Sequence, residues 1–250
     1  MGSAMAALAL APGLAVGSFL NVVAARVPLK QSLVRPGSAC MSCKAPIVWY
    51  DNIPLVSYFA LRGKCRNCGA RIGLVYPAVE IAAALLVAAC VLAFGLTFYA
   101  AIAAFFCCTL VAISAIDIEH RIVPDRIVLP ATAIVLVAQV VRDPSIEWPL
   151  AAFLASLFLF VAAVAYPAGM GMGDVKLALL MGAMLGRVVP VALLLGLVLG
   201  VVPSAYLLVR HGRAARKMGI PFAPFLALGS VIALFAGEWL LDAYLGLLAS

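Results

Sequence analysis

The chain has 250 residues, of which 66% are apolar and only 11% are charged, and its mean hydropathy is +1.18. These values exclude an ordinary soluble domain and are typical of a polytopic membrane protein. The net charge of +7 would suggest a nucleic-acid partner for a soluble protein. In a membrane protein basic residues are first a signal of topology, so we expect no nucleic-acid partner.

Apolar runs with charged flanks predict about eight transmembrane helices, at roughly 20 residues per span. We expect these spans near 6–25, 77–95, 98–116, 127–142, 150–167, 175–187, 189–209 and 223–247. The predicted fold class is therefore all-α, with about eight transmembrane helices and one small loop domain. The two spans within 175–209 are short, so a single long helix is the alternative; Arg187 and Pro190 mark the expected turn.

The positions of the basic residues predict the topology. The first apolar run has no basic start and no cleavage site, which indicates a retained span with its N-terminus outside. Alternation then makes four loops cytoplasmic, and these contain fifteen of the seventeen Lys and Arg residues, as the positive-inside rule requires. The loops are 26–76, 117–126, 168–176 and 210–222. The last contains Arg210, Arg213, Arg216 and Lys217, which we expect to contact anionic lipid.

The longest loop, 26–76, contains two Cys-x-x-Cys pairs separated by 21 residues. The pairs are Cys40 with Cys43, and Cys65 with Cys68. This spacing predicts tetrahedral zinc bound by four thiolates. Two disulfides are the alternative, which a cytoplasmic location disfavours. So small a loop buries little apolar surface, and we expect the zinc to be structural, because four thiolates leave no open position for water.

Two aspartates lie at the ends of predicted spans. Asp117 closes the third span and Asp174 opens the sixth, and the predicted topology puts both at the cytoplasmic face. An ionisable residue at membrane depth is costly and is a functional candidate by default. Two carboxyl groups at one depth predict hydrolysis by a pair of acids that divide the proton transfers between them.

The helix ends suggest different roles for the two acids. Asp174 is expected at a helix N-terminus, where the dipole favours an anion, and Asp117 near a C-terminus, where the dipole favours the neutral acid. We therefore expect Asp174 to be the resting base and Asp117 the acid, with Lys176 strengthening the difference. The alternative is that both residues only cap helices.

Four neighbours are predicted to support the substrate groove: Gly171, Gly173, Lys176 and Asp125. The two glycines would let a substrate backbone approach Asp174, although close helix packing by small residues is the alternative. Asp125 follows Pro124 and is expected to be the N-cap of the fourth span rather than a third catalytic acid.

The order of these motifs resembles the type IV prepilin leader peptidases, integral-membrane aspartic proteases with a Gly-x-Gly-Asp signature. Besides the cysteine pairs, the resemblance includes Gly17-Ser18-Phe19-Leu20-Asn21, Arg26-Val27-Pro28, Asp51-Asn52-Ile53-Pro54, Tyr76-Pro77-Ala78-Val79-Glu80, Asp117 to Asp125, Gly171-Met172-Gly173-Asp174-Val175-Lys176 and Pro221-Phe222-Ala223-Pro224-Phe225. Glu119 stands where the family pattern has a second Asp, and Ala223 where it has Gly. Neither departure removes a catalytic carboxylate.

The resemblance implies an enzyme that cleaves the leader of prepilins or pseudopilins at the cytoplasmic face of the bacterial inner membrane. It also implies N-methylation of the new N-terminus by S-adenosylmethionine, for which the residues show no glycine-rich cofactor signature. The chain then divides into a first transmembrane helix (1–25), a cytoplasmic four-cysteine zinc domain (26–76) and a transmembrane aspartic peptidase domain (77–250). The oligomeric state is not predicted by the sequence.

A membrane transporter or ion-binding protein that uses intramembrane acids is the alternative function. It would need polar residues deep within several spans, and the sequence has almost none there. A membrane methyltransferase without protease activity is a second alternative, but it would not need the arrangement of two glycines before Asp174.

Overall fold

The computed structural model describes residues 2–166, 170–211 and 220–249, and no β-strand occurs among them. Nine α-helices occur in these described ranges: α1 (Gly2–Arg26), α2 (Val56–Ala60), α3 (Val75–Phe94), α4 (Phe98–His120), α5 (Asp125–Arg142), α6 (Glu147–Ala165), α7 (Met172–Leu185), α8 (Val189–His211) and α9 (Ala223–Ala249). The all-α fold class is confirmed. Arg213, Arg216 and Lys217 of the predicted basic cluster lie outside the described residues.

Six segments of the described chain are long and apolar enough to cross a membrane, which makes the protein multi-pass. They are Ala7–Arg26, Val75–Phe94, Phe98–His120, Glu147–Ala165, Met172–Tyr206 and Ala223–Leu247. Helix α5 is not among them and is less apolar, since its eighteen residues include Asp125, Arg126 and Arg142. The count of eight spans therefore stays a prediction.

The segment Met172–Tyr206 contains two helices rather than one. A 3-10 turn at Gly186–Val188 separates α7 from α8, and Gly186 has a φ of +54°, which a glycine adopts without steric cost. The backbone N–H of Arg187 donates to Glu147 at 2.8 Å, and its guanidinium pairs with Glu238 of α9. The predicted turn is confirmed, and the alternative of a single long helix is wrong.

Residues Met1–Ala115 form one compact unit, in which α1 packs closely on α3. A Cβ atom added at Gly17 would lie 2.6 Å from the Cα atom of Glu80, and one at Gly13 would lie 2.7 Å from that of Ala84. Glycines four residues apart let two membrane helices approach backbone to backbone. This contact fixes the first turns of α3, which carry Glu80, beneath the cysteine loop.

Residues Ile116–Ser250 form the second unit, and α7 packs there against α5, α6 and α9. The approach to α6 is closest at Gly182, where an added Cβ atom would lie 2.4 Å from the carbonyl oxygen of Ala151. Leu177, Leu180 and Met181 of α7 are fully buried. Because this helix is enclosed by its neighbours, the position of Asp174 in its first turn is firmly held.

Candidate active site and metal centre

Asp117 lies in the last turn of α4, which continues to His120 instead of ending at residue 116. Its side chain is buried, with 6% exposure. One carboxylate oxygen accepts a hydrogen bond from the backbone N–H of Ala223 at 2.9 Å, and the backbone of Phe222 also hydrogen-bonds to it. The start of α9 therefore holds the carboxyl group of α4.

Asp174 lies in the first turn of α7 and is 8% exposed. Its Oδ2 atom accepts a long hydrogen bond, 3.4 Å, from the backbone N–H of Gly171, and its own N–H donates to the carbonyl of Gly171 at 3.1 Å. The carboxyl groups of Asp174 and Asp117 interact electrostatically. The second unit thus brings together two buried acids that are 57 residues apart in the sequence.

Each acid accepts a hydrogen bond from a backbone N–H at the start of a helix. Ala223 opens α9 and donates to Asp117, whereas Gly171 precedes α7 and donates to Asp174. The sequence predicts that helix dipoles act differently on the two acids. In the structure this difference is smaller, because Asp117 faces the N-terminus of α9 as well as lying near the C-terminus of α4. The assignment of Asp174 as base and Asp117 as acid stays a prediction.

The two glycines before Asp174 have different surroundings. A Cβ atom at Gly173 would lie 2.9 Å from Cβ of Val123, so this glycine lets α7 approach the segment that follows α4. Among the residues that the structure describes, a Cβ atom at Gly171 would meet nothing closer than 3.9 Å, where the first atom is Oδ2 of Asp174. Gly173 has the environment expected for packing, whereas no described residue crowds Gly171 beside the carboxyl group.

Lys176 forms an ion pair with Asp125, and the distance between Nζ and Oδ1 is 2.6 Å. The pair connects the first turns of α7 and α5. Asp125 is the first residue of α5, Pro124 holds the N-cap position, and no side-chain capping hydrogen bond forms there. The prediction that Asp125 is an N-cap is therefore wrong, since its carboxylate turns to the ammonium group of Lys176.

The sequence did not reveal the backbone donors at Phe222 and Ala223. The stretch Pro221 to Phe225 stands out only by its family resemblance, and nothing in its composition indicates which residue it contacts. Because the donor is a backbone N–H, the contact is compatible with Ala223 where the family pattern has glycine.

The four cysteines of the long loop converge, and their sulfur atoms all lie within 4.8 Å of one another. All seven cysteines of the chain are free thiols, so the alternative of two disulfides is not what the structure contains. The sulfur atoms of Cys40 and Cys68 are 3.8 Å apart, as expected for a tetrahedron with Zn–S bonds of about 2.3 Å. The donor set fits zinc.

The two Cys-x-x-Cys pairs form equivalent turns. The N–H of Cys40 donates to Ala45, and the N–H of Cys65 donates to Ala70, at 2.9 and 2.8 Å. The residue after each pair, Lys44 or Gly69, has a positive φ.

These turns direct N–H groups at sulfur. Backbone hydrogen bonds from Cys43 and Ser42 lower the pKa of Cys40 to about 6. The backbone N–H of Ala45 and the side-chain amide of Asn67 lower the pKa of Cys43. Both effects favour thiolate, the form that binds zinc.

The described residues form a helical, multi-pass membrane protein in which two buried aspartates lie in one unit, features that suit a membrane peptidase. Residues 12–94 match the family model of the bacterial peptidase A24 N-terminal domain, and residues 104–205 match that of the type IV leader peptidase family. The chain belongs to the type IV leader peptidase family.

Similar proteins agree with the family models over most of the chain. A prepilin leader peptidase/N-methyltransferase of Bacillus subtilis is 32% identical over 237 residues, which cover 93% of this chain and 95% of the relative. A protein with the same name from Pseudomonas aeruginosa is 37% identical, with 93% and 91% covered. A third protein with this name, from Myxococcus xanthus, is 38% identical over a match that covers 82% of this chain and 64% of the relative. No solved structure matches the chain.

Proposed function

We propose that this protein cleaves the leader peptides of type IV prepilins or pseudopilins and then methylates the new N-terminus. The observation that carries the proposal is the buried pair of Asp117 and Asp174 in a chain of this family. Relatives that bear the name prepilin leader peptidase/N-methyltransferase support both activities.

Cleavage uses the two carboxyl groups in turn. The ionised one accepts a proton from water, whose oxygen attacks the scissile carbonyl, while the protonated one donates its proton to the carbonyl oxygen. When the C–N bond breaks, the carboxyl group that took the proton from water gives it to the leaving nitrogen, and the other carboxylate regains its proton from a hydroxyl group of the tetrahedral intermediate. Asp117 is held by the N–H groups of α9 and Asp174 by the first turn of α7, so both acids are positioned before substrate binds. Gly171 leaves room for the substrate backbone.

Zinc and S-adenosylmethionine are the cofactors of the proposal. Cys40, Cys43, Cys65 and Cys68 would hold the zinc, which would stabilise the loop and take no part in hydrolysis, because four sulfur ligands leave no position for water. S-adenosylmethionine would supply the methyl group that the amine nitrogen of the new N-terminus receives.

The proposed location is the bacterial inner membrane, with the cysteine loop and both aspartates on the cytoplasmic side. The excess of Lys and Arg in the four predicted cytoplasmic loops supports this orientation. We keep the predicted division into residues 1–25, 26–76 and 77–250 as part of the proposal. Prepilins, pseudopilins and membrane lipid are the proposed partners.

A transporter is the less favoured function. Among the buried polar residues of the described helices, Thr109, Thr132 and Ser230 donate hydroxyl hydrogen bonds to carbonyls of their own helices. Such hydroxyls offer no continuous polar path across a membrane. The family match also disfavours this alternative.

The test is to incubate the purified full-length protein with a synthetic prepilin, with and without S-adenosylmethionine, and to measure the product mass. We expect loss of the leader in both samples and a further methyl group only with the donor. An uncleaved but methylated prepilin would favour a methyltransferase without protease activity, and an unchanged prepilin would contradict the proposal.

A further inference from the structure

A cavity of about 620 Å³ lies between the cysteine loop and the start of α3. All of its lining residues belong to the first unit, and neither Asp117 nor Asp174 is among them. Its volume is within the range of about 300–1,000 Å³ that is usual for small-molecule sites. The peptidase chemistry does not use this cavity.

Glu80 forms the deep end of the cavity and is only 9% exposed. Its Oε2 atom accepts a hydrogen bond from the backbone N–H of Leu55 at 2.8 Å, and the side chains of Ser18 and Asn21 also hydrogen-bond to it. These partners are neutral. A buried carboxylate is normally paired with a cation, and the partners of Glu80 include none, so the cavity has a place beside Glu80 that suits a cation.

The backbone beside Glu80 is strained. Leu55 has a φ of +60°, a conformation that is rare for residues other than glycine. The strained peptide directs its N–H at the carboxylate of Glu80. Strain of this kind costs about 1–3 kcal/mol and is found where a local geometry is needed for function.

The outer part of the cavity carries the opposite charge. Arg66 and Arg71 line it, and both are exposed. Arg66 is held in place by two hydrogen bonds to Asp51, at 2.6 and 2.7 Å, and lies 5.6 Å from the centre of the Tyr50 ring. The cavity is therefore lined by the buried acid Glu80, by two exposed guanidinium groups, of which that of Arg66 is paired with Asp51, and by aromatic rings that include Tyr58.

We propose that this cavity binds S-adenosylmethionine, with Glu80 facing the sulfonium cation and Arg71 facing the amino-acid carboxylate, since the guanidinium of Arg66 is already paired with Asp51. The donor carries both charges and an aromatic base, which matches the distribution of charge and rings along the cavity. This inference rests on the proposed methylation and assigns a site to its donor. Cys40 and Cys65 also line the cavity, so the zinc-bound turns complete its wall.

Direct binding to the full-length protein in lipid nanodiscs tests the site. S-adenosylmethionine and S-adenosylhomocysteine have nearly the same shape, but only the first carries the sulfonium charge. Wild type should bind the charged donor more tightly. Glu80→Gln should weaken binding of S-adenosylmethionine about tenfold and abolish the preference, since one charge-assisted contact is worth about that factor.

Three further measurements make the test decisive. Glu238→Gln removes an exposed glutamate of α9 and should bind both ligands as wild type does. Arg71→Met should weaken binding of both ligands by the same factor, because both carry the same carboxylate. The preference for S-adenosylmethionine over S-adenosylhomocysteine should remain. Zinc content and prepilin cleavage, measured on every variant, report whether the protein is folded.

The outcomes separate this inference from the proposed function. If wild type binds and methylates but Glu80→Gln and Arg71→Met bind unchanged, the cavity is not the donor site and methylation stands. If wild type binds no S-adenosylmethionine, both the proposed donor site and the proposed methylation are wrong. Leader cleavage is tested separately by its own assay. If Glu80→Gln loses its zinc, Arg71→Met decides, and unchanged affinity in that variant overturns the proposal.

Discussion

At the level of single residues, the two acids could be predicted because a carboxylate near the hydrocarbon core is too costly to be incidental. The partner of Asp117 could not be predicted. It is a backbone N–H 106 residues later in the chain, at Ala223, and a backbone donor leaves no mark in the choice of side chain. For the same reason the sequence does not show that Glu80 accepts a hydrogen bond from the backbone N–H of Leu55 in the loop.

Gly171 and Gly173 offer a matched pair of substitutions. Gly173→Ala puts a Cβ atom 2.9 Å from Val123 and should lower stability by about 1–3 kcal/mol, the usual cost of overpacking. No described residue lies closer than 3.9 Å to a Cβ atom added at Gly171, so for Gly171→Ala we expect an unchanged melting temperature and a raised KM for prepilin. Thermal unfolding in detergent and cleavage kinetics measure the two effects. Unchanged kinetics in Gly171→Ala would show that the substrate backbone does not pass this position.

At the level of elements, hydropathy predicted where the helices lie but not where they end. Helix α4 continues through Asp117 to His120, and α7 begins at Met172 rather than at 175. An apolar pattern shows which residues contact lipid or the core, whereas the end of a helix depends on backbone hydrogen bonds. Hydropathy therefore does not show the polar last turn of α4 or the glycine-containing first turn of α7. The spacing of the cysteine pairs, in contrast, predicted their convergence, because two such turns can enclose one tetrahedral ion.

The zinc prediction is tested by two cysteine substitutions. Cys68→Ala should lose the metal and make the loop sensitive to trypsin, since three ligands and little buried apolar surface do not hold it folded. Cys108→Ala, a buried residue of α4, should keep one zinc per chain. Metal analysis and limited proteolysis measure both results. One tightly bound zinc in Cys68→Ala would contradict a four-thiolate site.

At the level of the whole molecule, the all-helical membrane fold followed from composition, but the number of spans did not. Helix α5 has three charged residues at its ends and Gln139 in its interior, and it is not among the six segments that are apolar enough and poor enough in charge to cross a membrane. Gln139 is fully buried and donates to the carbonyl of Met184 in α7 at 2.9 Å. The rest of α5 exposes Leu129, Ile134, Val137 and Val141, as a helix that faces lipid would. Because the terminal charges and the exposed apolar face point in opposite directions, hydropathy does not decide whether α5 crosses the membrane.

Labelling from outside intact cells tests the predicted topology. With eight spans, Asp143 between α5 and α6 is outside and Gly37 in the cysteine loop is inside. An impermeant maleimide should therefore label Asp143→Cys and leave Gly37→Cys unlabelled until the cells are opened. Protection of Asp143→Cys in intact cells would mean that α5 does not cross.

The central claim is that Asp117 and Asp174 together hydrolyse the leader peptide bond, and it is tested most directly by the product mass from Asp117→Asn and Asp174→Asn variants. Each substitution keeps the size of the side chain and removes its ability to exchange a proton. We expect neither variant to release the leader from a synthetic prepilin, while both still methylate a pilin that has already been cleaved. Release of the leader by either variant at a rate near that of wild type would contradict the two-aspartate mechanism.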